Sequence, residues 1–253
     1  MQTNTQTATP AGSGHSSRVI WITGAGSGVG AATARLFAPS GATLFLGDRN
    51  LERVSRLKDE LAAFNKNVHA SVGDLRDRMT AERTGALISE VAGRLDVLIN
   101  CVGYNVPDRH WRDVDMDSID SVVRTNLLAP FYCSKIALGF MRAQKAGTLV
   151  HVSSTDGLRV GVVGGPAYAT SKHGLVALSH SINVEESRNG IRSCVICPGG
   201  IDTDFLDHRK DPPSSHERSR LLRPVDVAEA ICYAANQPAH VRIEQITMTP
   251  APS

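Results

Sequence analysis

The sequence predicts an α/β fold: a doubly wound parallel sheet of about seven strands with helices on both faces, in a single domain. Short, nearly continuous apolar segments alternate along the chain with longer segments whose apolar residues have helical spacing. Strands buried on both faces have this apolar character, and their alternation with helices is typical of parallel strands joined by crossovers. The length of 253 residues suits one such domain, and no repeat or linker divides it.

The elements are predicted in chain order from the apolar runs and from the residues that end them. The predicted strands are residues 19–23, 42–47, 68–72, 96–100, 147–154, 191–197 and 243–248. The predicted helices are residues 31–38, 51–65, 79–94, 118–144, 167–188 and 224–236. Residues 204–223 are polar, contain two adjacent prolines and are predicted to form a mobile lid. The catalytic domain is therefore expected to span residues 18–253.

Composition excludes several classes of protein. Acidic and basic residues are intermixed and the formal net charge is +2, so no nucleic-acid partner is expected. The apolar runs are far shorter than the ~20 residues that span a bilayer. Residues 1–17 lack a signal peptide's basic and apolar regions, which predicts a disordered tail on a cytoplasmic protein. The five cysteines are scattered and the nine histidines form no cluster, so free thiols and no metal site are expected.

A glycine-rich segment separates the first predicted strand from the first predicted helix. It reads TGAGSGVG, and Gly24, Gly28 and Gly30 have the spacing G-x-x-x-G-x-G. Glycines let the backbone turn sharply and approach a pyrophosphate, whose charge is favoured by the free N–H groups at a helix N-terminus. The strict G-x-G-x-x-G spacing is absent, so the flanking strand and helix support the prediction of a dinucleotide site.

Asp48 ends the second predicted strand, where an acidic side chain would bond the adenosine ribose hydroxyls. Because a carboxylate there repels a 2′-phosphate, NAD is favoured over NADP. Arg49 could instead attract that phosphate or stack on adenine. Asp48 could also be a simple N-cap of the helix that begins at Leu51.

Tyr168 and Lys172 lie four residues apart in a predicted helix, so their side chains share one face, a turn apart. A phenol titrates near about pH 10. A neighbouring cation favours the phenolate and lowers that pKa, which would make Tyr168 an acid/base. Taken alone, the spacing is more often a surface Tyr–Lys pair.

Further polar features follow predicted strands at the edge where such sheets bind ligands. They are Asp74, Asn100, Ser154 and Pro198. Asn126 lies inside the long helix 118–144, and a buried amide there must find partners. It is either a functional hub or a structural tie.

Together these motifs resemble the classical short-chain dehydrogenase/reductase (SDR) family over residues 18–236. The shared set is T-G-x-x-x-G-x-G, the acidic residue after the third strand, N-x-x-G, the Asn in the fourth helix, the Ser ending the fifth strand, Y-x-x-x-K, and P-G with a following Thr. The resemblance implies a Rossmann-type sheet, NAD as cofactor with NADP as the alternative, a small-molecule alcohol or ketone substrate, and a homodimer or homotetramer.

The resemblance also implies roles for individual residues. Tyr168 would be the acid/base, and Lys172 would lower its pKa and hold the nicotinamide ribose. Ser154 would stabilise charge on the substrate oxygen. Asn126 would anchor a water chain from Lys172 to solvent.

The implied cofactor-binding residues extend along the whole predicted edge of the sheet. They are Thr23, Gly24, Ser27, Gly28, Val29, Gly30, Asp48, Arg49, Asp74, Leu75, Asn100, Val102, Gly103, Tyr168, Lys172, Pro198, Gly199, Ile201 and Thr203. Asp74 would bond the adenine amino group, and Ile201 and Thr203 would lie near the carboxamide and phosphates.

Three departures from the family pattern stand out. The family's Asn-Asn-Ala-Gly is NCVG here, at residues 100–103. Ser153 adjoins Ser154, and the stretch from there to Tyr168 is one residue longer than expected, so Ser153 is the alternative to Ser154. The C-terminal IEQITMTPAPS lacks the usual Gly-Gly.

The leading hypothesis is reversible hydride transfer between NAD(H) and a secondary alcohol or ketone. One alternative is an NADPH-dependent carbonyl reductase that uses Arg49, and another is a dinucleotide-bound sensor or scaffold without turnover. Five residues could line the substrate pocket or, equally well, form the core of loops; they are Tyr104, His110, Trp111, Val160 and Val162. The bases of the lid could favour an anionic substrate, although interleaved acids favour a solvated surface; these bases are Arg209, Lys210, Arg218, Arg220 and Arg223.

Overall fold

The computed structural model describes residues 18–251, so the predicted disordered tail lies outside the described residues. The chain forms one seven-stranded sheet in which every strand is parallel to its neighbours, in the order β3-β2-β1-β4-β5-β6-β7. The strands are β1 Val19–Thr23, β2 Thr43–Asp48, β3 Val68–Val72, β4 Val97–Asn100, β5 Gly147–Val152, β6 Ile191–Pro198 and β7 Gln245–Met248. The predicted Rossmann-type, doubly wound sheet is confirmed.

Helices cover both faces of the sheet. They are α1 Gly28–Phe37, α2 Leu51–Leu61, α3 Arg78–Val91, α4 Met116–Val123, α5 Ala129–Gln144, α6 Pro166–Glu186, α7 Ser215–Arg218 and α8 Pro224–Ala235. Ile20 and Ile22 of β1 pack with α1, α2 and α8 on one face, whereas Val19 and Trp21 pack with α3, α5 and α6 on the other. Successive strand residues point to opposite faces, so a fully apolar strand fills two cores.

The predicted helix 118–144 is wrong as a single α-helix. Residues Arg124–Leu128 form a π-helical turn between α4 and α5. Pro130, in the first turn of α5, has no N–H and cannot donate to the carbonyl of Asn126, four residues earlier, which disrupts the regular ladder. Single π turns of this kind are frequent at functional sites.

Several predicted helix and strand ends differ from the observed ones. α1 begins at Gly28 rather than residue 31, and β5 ends at Val152, so Ser153 and Ser154 lie beyond the strand. α2 ends at Leu61 rather than residue 65. Asn65 lies beyond the helix, where its side chain donates to the Ala42 carbonyl (2.6 Å) and accepts from the Asn67 amide (2.8 Å).

The segment predicted as a lid contains a 3-10 turn, Asp204–His208, and α7. A backbone bridge between Ile201 and Leu222 joins its two ends beside β6. The lid segment therefore leaves the carboxyl end of the sheet and returns to it. Its motion stays a prediction.

Within residues 18–251, no helix has both the length and the apolar composition needed to cross a bilayer. The same residues contain no group of three or more His, Cys, Asp or Glu side chains arranged to hold a metal ion. All five cysteines are free thiols.

Candidate active site

One cleft of about 870 Å³ lies at the carboxyl ends of the central strands. It contains most of the residues predicted from the sequence. Those that line it are Gly24, Ser27, Gly28, Val29, Gly30, Asp48, Arg49, Asp74, Leu75, Val102, Gly103, Ser154, Tyr168, Lys172, Pro198, Gly199, Ile201 and Thr203. Thr23, Asn100 and Asn126 do not line it.

The glycine-rich turn has the geometry needed to approach a pyrophosphate. Gly24 and Gly28 have positive φ angles of 65° and 50°, which L side chains rarely adopt. A Cβ atom at Gly30 would lie 2.1 Å from the Gly24 carbonyl oxygen. No side chain caps α1 at Ser27, so the N–H groups of its first turn are free to bind an anion.

The Asp48 carboxylate is held at the tip of β2. Its oxygens accept hydrogen bonds from the amides of Gly26 and Asn50, both at 2.9 Å. Asn50, not Asp48, caps α2, because the Asn50 side chain accepts from the Arg53 amide. The alternative that Asp48 is a simple helix cap is therefore wrong. Arg49 and Arg53 line the same end of the cleft.

Asp74 is paired with a neighbouring arginine. The guanidinium of Arg76 donates to one Asp74 oxygen at 2.6 and 2.8 Å, and the Arg76 amide donates to the other at 2.9 Å. Burial raises the pKa of Asp74, but the hydrogen bonds from Arg76 outweigh it and the pKa is lowered. The carboxylate is therefore ionised and fixed beside Leu75 at the rim of the cleft.

Thr23 and Asn100 lie beneath the glycine-rich turn with their side chains buried. The Thr23 hydroxyl is 3.4 Å from the side-chain oxygen Oδ1 of Asn100, and the side-chain nitrogen Nδ2 of Asn100 is 3.1 Å from Nδ1 of His151. Because the Asn100 side-chain nitrogen can only donate, Nδ1 accepts and the imidazole proton is on Nε2, which has no hydrogen-bond partner in the part of the chain that the structure describes. These three residues join β1, β4 and β5 beneath the site, and their side chains do not reach the cleft.

The neutral state of His151 predicts a pH dependence of stability. Burial, with the nearby Lys172 charge, lowers the pKa of His151 from 6.5 to about 3. Between these values the unfolded chain binds a proton that the folded chain does not, so the free energy of unfolding falls as pH falls. From about pH 7.5 to 5.5 the loss is about 1.4 kcal/mol. In urea unfolding, the free energy of unfolding of His151→Asn should fall by about 1.4 kcal/mol less than that of the wild type between these two pH values.

A matched control is available for that measurement. His180 is exposed, and His180→Asn should retain the wild-type difference between the two pH values. Equal acid sensitivity in His151→Asn and the wild type would contradict a buried neutral imidazole.

Tyr168 and Lys172 share one face of α6, as their spacing predicts. The Lys172 ammonium nitrogen is 5.7 Å from the centre of the Tyr168 ring and donates to the Val152 carbonyl at 2.9 Å. Burial lowers the pKa of Lys172 to about 8 and raises the pKa of Tyr168 to about 12. The groups that lower the Tyr168 pKa here are Ser154 and two arginines, not Lys172. The predicted effect of Lys172 on the phenol is therefore not seen in this geometry.

The two adjacent serines have different surroundings. The Ser153 hydroxyl is buried and donates to the Lys172 backbone carbonyl at 2.9 Å. Ser154 faces the cleft, where its hydroxyl accepts from the Asp156 amide at 3.1 Å and lies close enough to the phenol to lower the Tyr168 pKa. Ser154 is therefore the serine that can reach a substrate oxygen.

Asn126 ties the π turn to the loop after β4. Its side chain accepts from the Tyr104 amide at 2.7 Å and donates to the Tyr104 carbonyl at 2.9 Å. It is also 3.2 Å from the Ser171 hydroxyl. These contacts hold Tyr104 at the cleft, and a role of Asn126 as a functional hub stays a prediction.

Residues 18–213 match the sequence model of the short chain dehydrogenase family. The chain belongs to this family. An uncharacterized oxidoreductase of Staphylococcus haemolyticus is 29% identical over 233 residues, which are 92% of this chain and 97% of that protein.

Solved structures of other SDR enzymes have the same fold. An actinorhodin polyketide ketoreductase variant with NADPH is 28% identical, with a TM-score of 0.82 over 92% of this chain and 96% of that one. The closed form of a serine dehydrogenase complexed with NADP+ is 25% identical, with a TM-score of 0.83 over 92% and 94%.

The substrate side of this SDR cleft contains residues that the sequence did not indicate. Phe205 of the lid faces the Tyr168 ring, with 6.2 Å between ring centres. Arg109 and Asp156 also line the cleft. Gly165, at φ 75°, lets α6 begin against the Arg109 carbonyl, which brings the loop after β4 to the start of α6. No periodicity or motif in the sequence signals such a contact between loops.

The pocket residues suggested from the sequence are largely wrong. Tyr104 lines the cleft, but the other four do not. Trp111, Val160 and Val162 are 76% to 83% exposed, and His110 is exposed on the same loop as Trp111.

Proposed function

We propose that this SDR is an NAD(H)-dependent oxidoreductase that transfers hydride reversibly between the nicotinamide and a secondary alcohol or ketone. The observation that supports it most strongly is one shared cleft. Tyr168, Ser154 and Lys172 line the same cavity as the uncapped N-terminus of α1. A sensor without turnover would not need an acid/base and an oxyanion donor beside the dinucleotide site.

The residues of the cleft suit a dinucleotide. The glycine-rich turn would hold the pyrophosphate, Asp48 the adenosine ribose and Asp74 the adenine, while Lys172 would hold the nicotinamide ribose. When bound, the nicotinamide accepts or supplies the hydride. The protein's own residues supply position and charge.

Tyr168 would move the proton that accompanies hydride transfer. The protein's own groups keep the phenol pKa at about 12, so at neutral pH it is protonated and can donate to a ketone oxygen. In oxidation the phenol must first lose its proton, and nearby positive charge favours that loss. Ser154 would donate a hydrogen bond to the same substrate oxygen and stabilise charge that develops there.

Cofactor choice has two candidates. Asp48, fixed by Gly26 and Asn50, favours NAD because its charge repels a 2′-phosphate. The second candidate, an NADPH-dependent carbonyl reductase, is favoured by Arg49 and Arg53 at the same end of the cleft. The similar serine dehydrogenase and ketoreductase structures hold NADP+ and NADPH.

A panel of secondary alcohols and ketones, assayed with both cofactors, tests the proposal. We expect kcat/KM with NAD to exceed kcat/KM with NADP at least about 10-fold, which corresponds to about 1.4 kcal/mol. Asp48→Ala should lower this NAD-to-NADP ratio at least about 10-fold. The control is Asp74→Asn, which should weaken the binding of NAD and of NADP to the same extent. Preference for NADP in the wild type, unchanged in Asp48→Ala, would favour the reductase instead.

We further propose that the enzyme is cytoplasmic and a homodimer or homotetramer. Five free thiols suit a reducing compartment. Phe131 on α5 and Val184 on α6 are exposed apolar side chains on long helices, which are suitable surfaces for contact between copies.

A further inference from the structure

Two arginines border the substrate side of the cleft. Arg109, in the loop after β4, is 7% exposed, and its Nε donates to the Pro107 carbonyl at 3.4 Å. Arg209 follows the 3-10 turn of the lid, and its buried Nε has no hydrogen-bond partner among residues 18–251. Both side chains line the cavity that holds Tyr168 and Ser154.

Neighbouring bases of the lid are accounted for by ion pairs. Lys210 pairs with Asp108, Arg218 with both Asp202 and Asp207, and Arg223 with Asp226. Among the described residues no such pair includes Arg109 or Arg209. The lid bases that are paired or face solvent therefore fit the interpretation of the lid as a solvated surface. Arg209 does not fit it.

The two unpaired arginines belong to loops that are joined beside them. The ion pair between Asp108 and Lys210 joins the loop before Arg109 to the lid just after Arg209. The bridge between Ile201 and Leu222 closes the base of the lid. Burial lowers the pKa of Arg109, and the Arg209 charge lowers it further. Like charges held together away from water are unfavourable unless an anion joins them.

We propose that the substrate is a hydroxy acid, or the corresponding keto acid, whose carboxylate is bound by Arg109 and Arg209. This inference rests on the proposed function and names its substrate class. Planar guanidinium groups match a carboxylate in geometry. Of the carboxylates that line the cleft, that of Asp156 interacts with the Arg209 charge, whereas Asp204 pairs with Arg53. Two positive charges and one negative therefore leave one positive charge. A singly charged carboxylate balances it, whereas a phosphate dianion would exceed it.

The reaction of such a substrate is balanced with the cofactor alone. In oxidation the carbinol C–H bond breaks and its hydride goes to the oxidised nicotinamide. The Tyr168 phenol first loses its proton to solvent, the resulting phenolate takes the hydroxyl proton, and the C–O bond becomes a carbonyl. The carboxylate is unchanged, and its binding by the two arginines would orient the carbinol carbon.

Kinetics with matched acids and esters test this inference. We expect wild-type kcat/KM for 2- and 3-hydroxy acids to exceed that for their neutral methyl esters, and Arg209→Met to lower it at least about 30-fold for the acids but less than about 3-fold for the esters. Arg209→Lys should recover part of the loss. Arg220→Met, at an exposed lid base outside the cleft, should change neither.

A binding measurement makes the test independent of turnover. Calorimetric titration of acetate, propionate, butyrate and inorganic phosphate into the NAD-bound protein should show carboxylate binding that Arg209→Met weakens at least about 10-fold and Arg220→Met retains. Tighter binding of phosphate, or equal carboxylate binding by wild type and Arg209→Met, would overturn the assignment. Turnover of esters in preference to acids would overturn it while leaving the proposed function intact. Carboxylate binding that depends on Arg209, without turnover of either the acids or the esters, would contradict the proposed function but leave the carboxylate-binding site intact.

Discussion

Tyr168→Phe is expected to lower kcat/KM at least about 1,000-fold, which is about 4 kcal/mol of transition-state stabilisation. The substitution removes the hydroxyl that would donate or accept the proton but keeps the ring that packs against Phe205. The dissociation constant of NADH should therefore change less than about 10-fold, because one hydrogen bond at most is lost. Steady-state kinetics and a fluorescence titration of the cofactor measure the two quantities.

Tyr104→Phe is the matched control for that experiment. Tyr104 lines the same cleft, and its backbone, not its hydroxyl, is bonded to Asn126. We expect this variant to retain turnover within about 5-fold, since no proton is assigned to its phenol. Comparable losses in both variants would indicate general damage to the cleft rather than the loss of an acid/base.

Ser154→Ala is expected to lower kcat about 100-fold, the loss typical of removing one donor to a developing oxyanion. Both serines line the cleft, but the Ser154 hydroxyl lies beside the Tyr168 phenol, whereas the Ser153 hydroxyl donates to the Lys172 carbonyl. Cofactor affinity should remain close to that of the wild type. Steady-state kinetics with the best substrate of the panel measure the effect.

Ser153→Ala provides the comparison. Because its hydroxyl donates to the Lys172 carbonyl in a buried position, its loss should cost about 1 kcal/mol of stability and leave kcat within about 3-fold of the wild type. The reverse pattern, with Ser153→Ala inactive and Ser154→Ala active, would transfer the role to the neighbouring serine.

Much of the fold could be predicted from the sequence because local pattern determines it. The strand, glycine turn and helix around Gly28 and the four-residue spacing of Tyr168 and Lys172 depend on short stretches of chain. Parallel strands then bring their carboxyl ends to one edge, so Asp48 and Ser154 could be assigned to one site before their contacts were known.

Features that depend on distant contacts could not be predicted. The hydrogen-bond partners of Asn126 are backbone groups of Tyr104, 22 residues earlier in the chain. The direction of the Lys172 ammonium is set by the Val152 carbonyl of β5 rather than by its place on α6. Arg109 and Arg209 line one cleft from two loops that are far apart in sequence, and neither belongs to a motif.

Burial also determines pKa values and side-chain positions that residue spacing does not. Helical geometry places Lys172 near Tyr168, which suggested a lowered phenol pKa. The opposite shift arises because desolvation of the phenol outweighs nearby charges. Thr23 and Asn100 likewise belong to motifs of the glycine turn and the strand end, yet their side chains are buried beneath the site.

The central claim is direct hydride transfer in a cleft where Tyr168 moves the accompanying proton. A single-turnover experiment with reduced nicotinamide deuterated at its transferable position, mixed with a ketone substrate, tests it most directly. We predict that the deuterium is found on the carbinol carbon of the wild-type product, and that cofactor-saturated Tyr168→Phe forms this product at least about 1,000-fold more slowly. Product without deuterium at that carbon, or equal rates in the two proteins, would contradict the account.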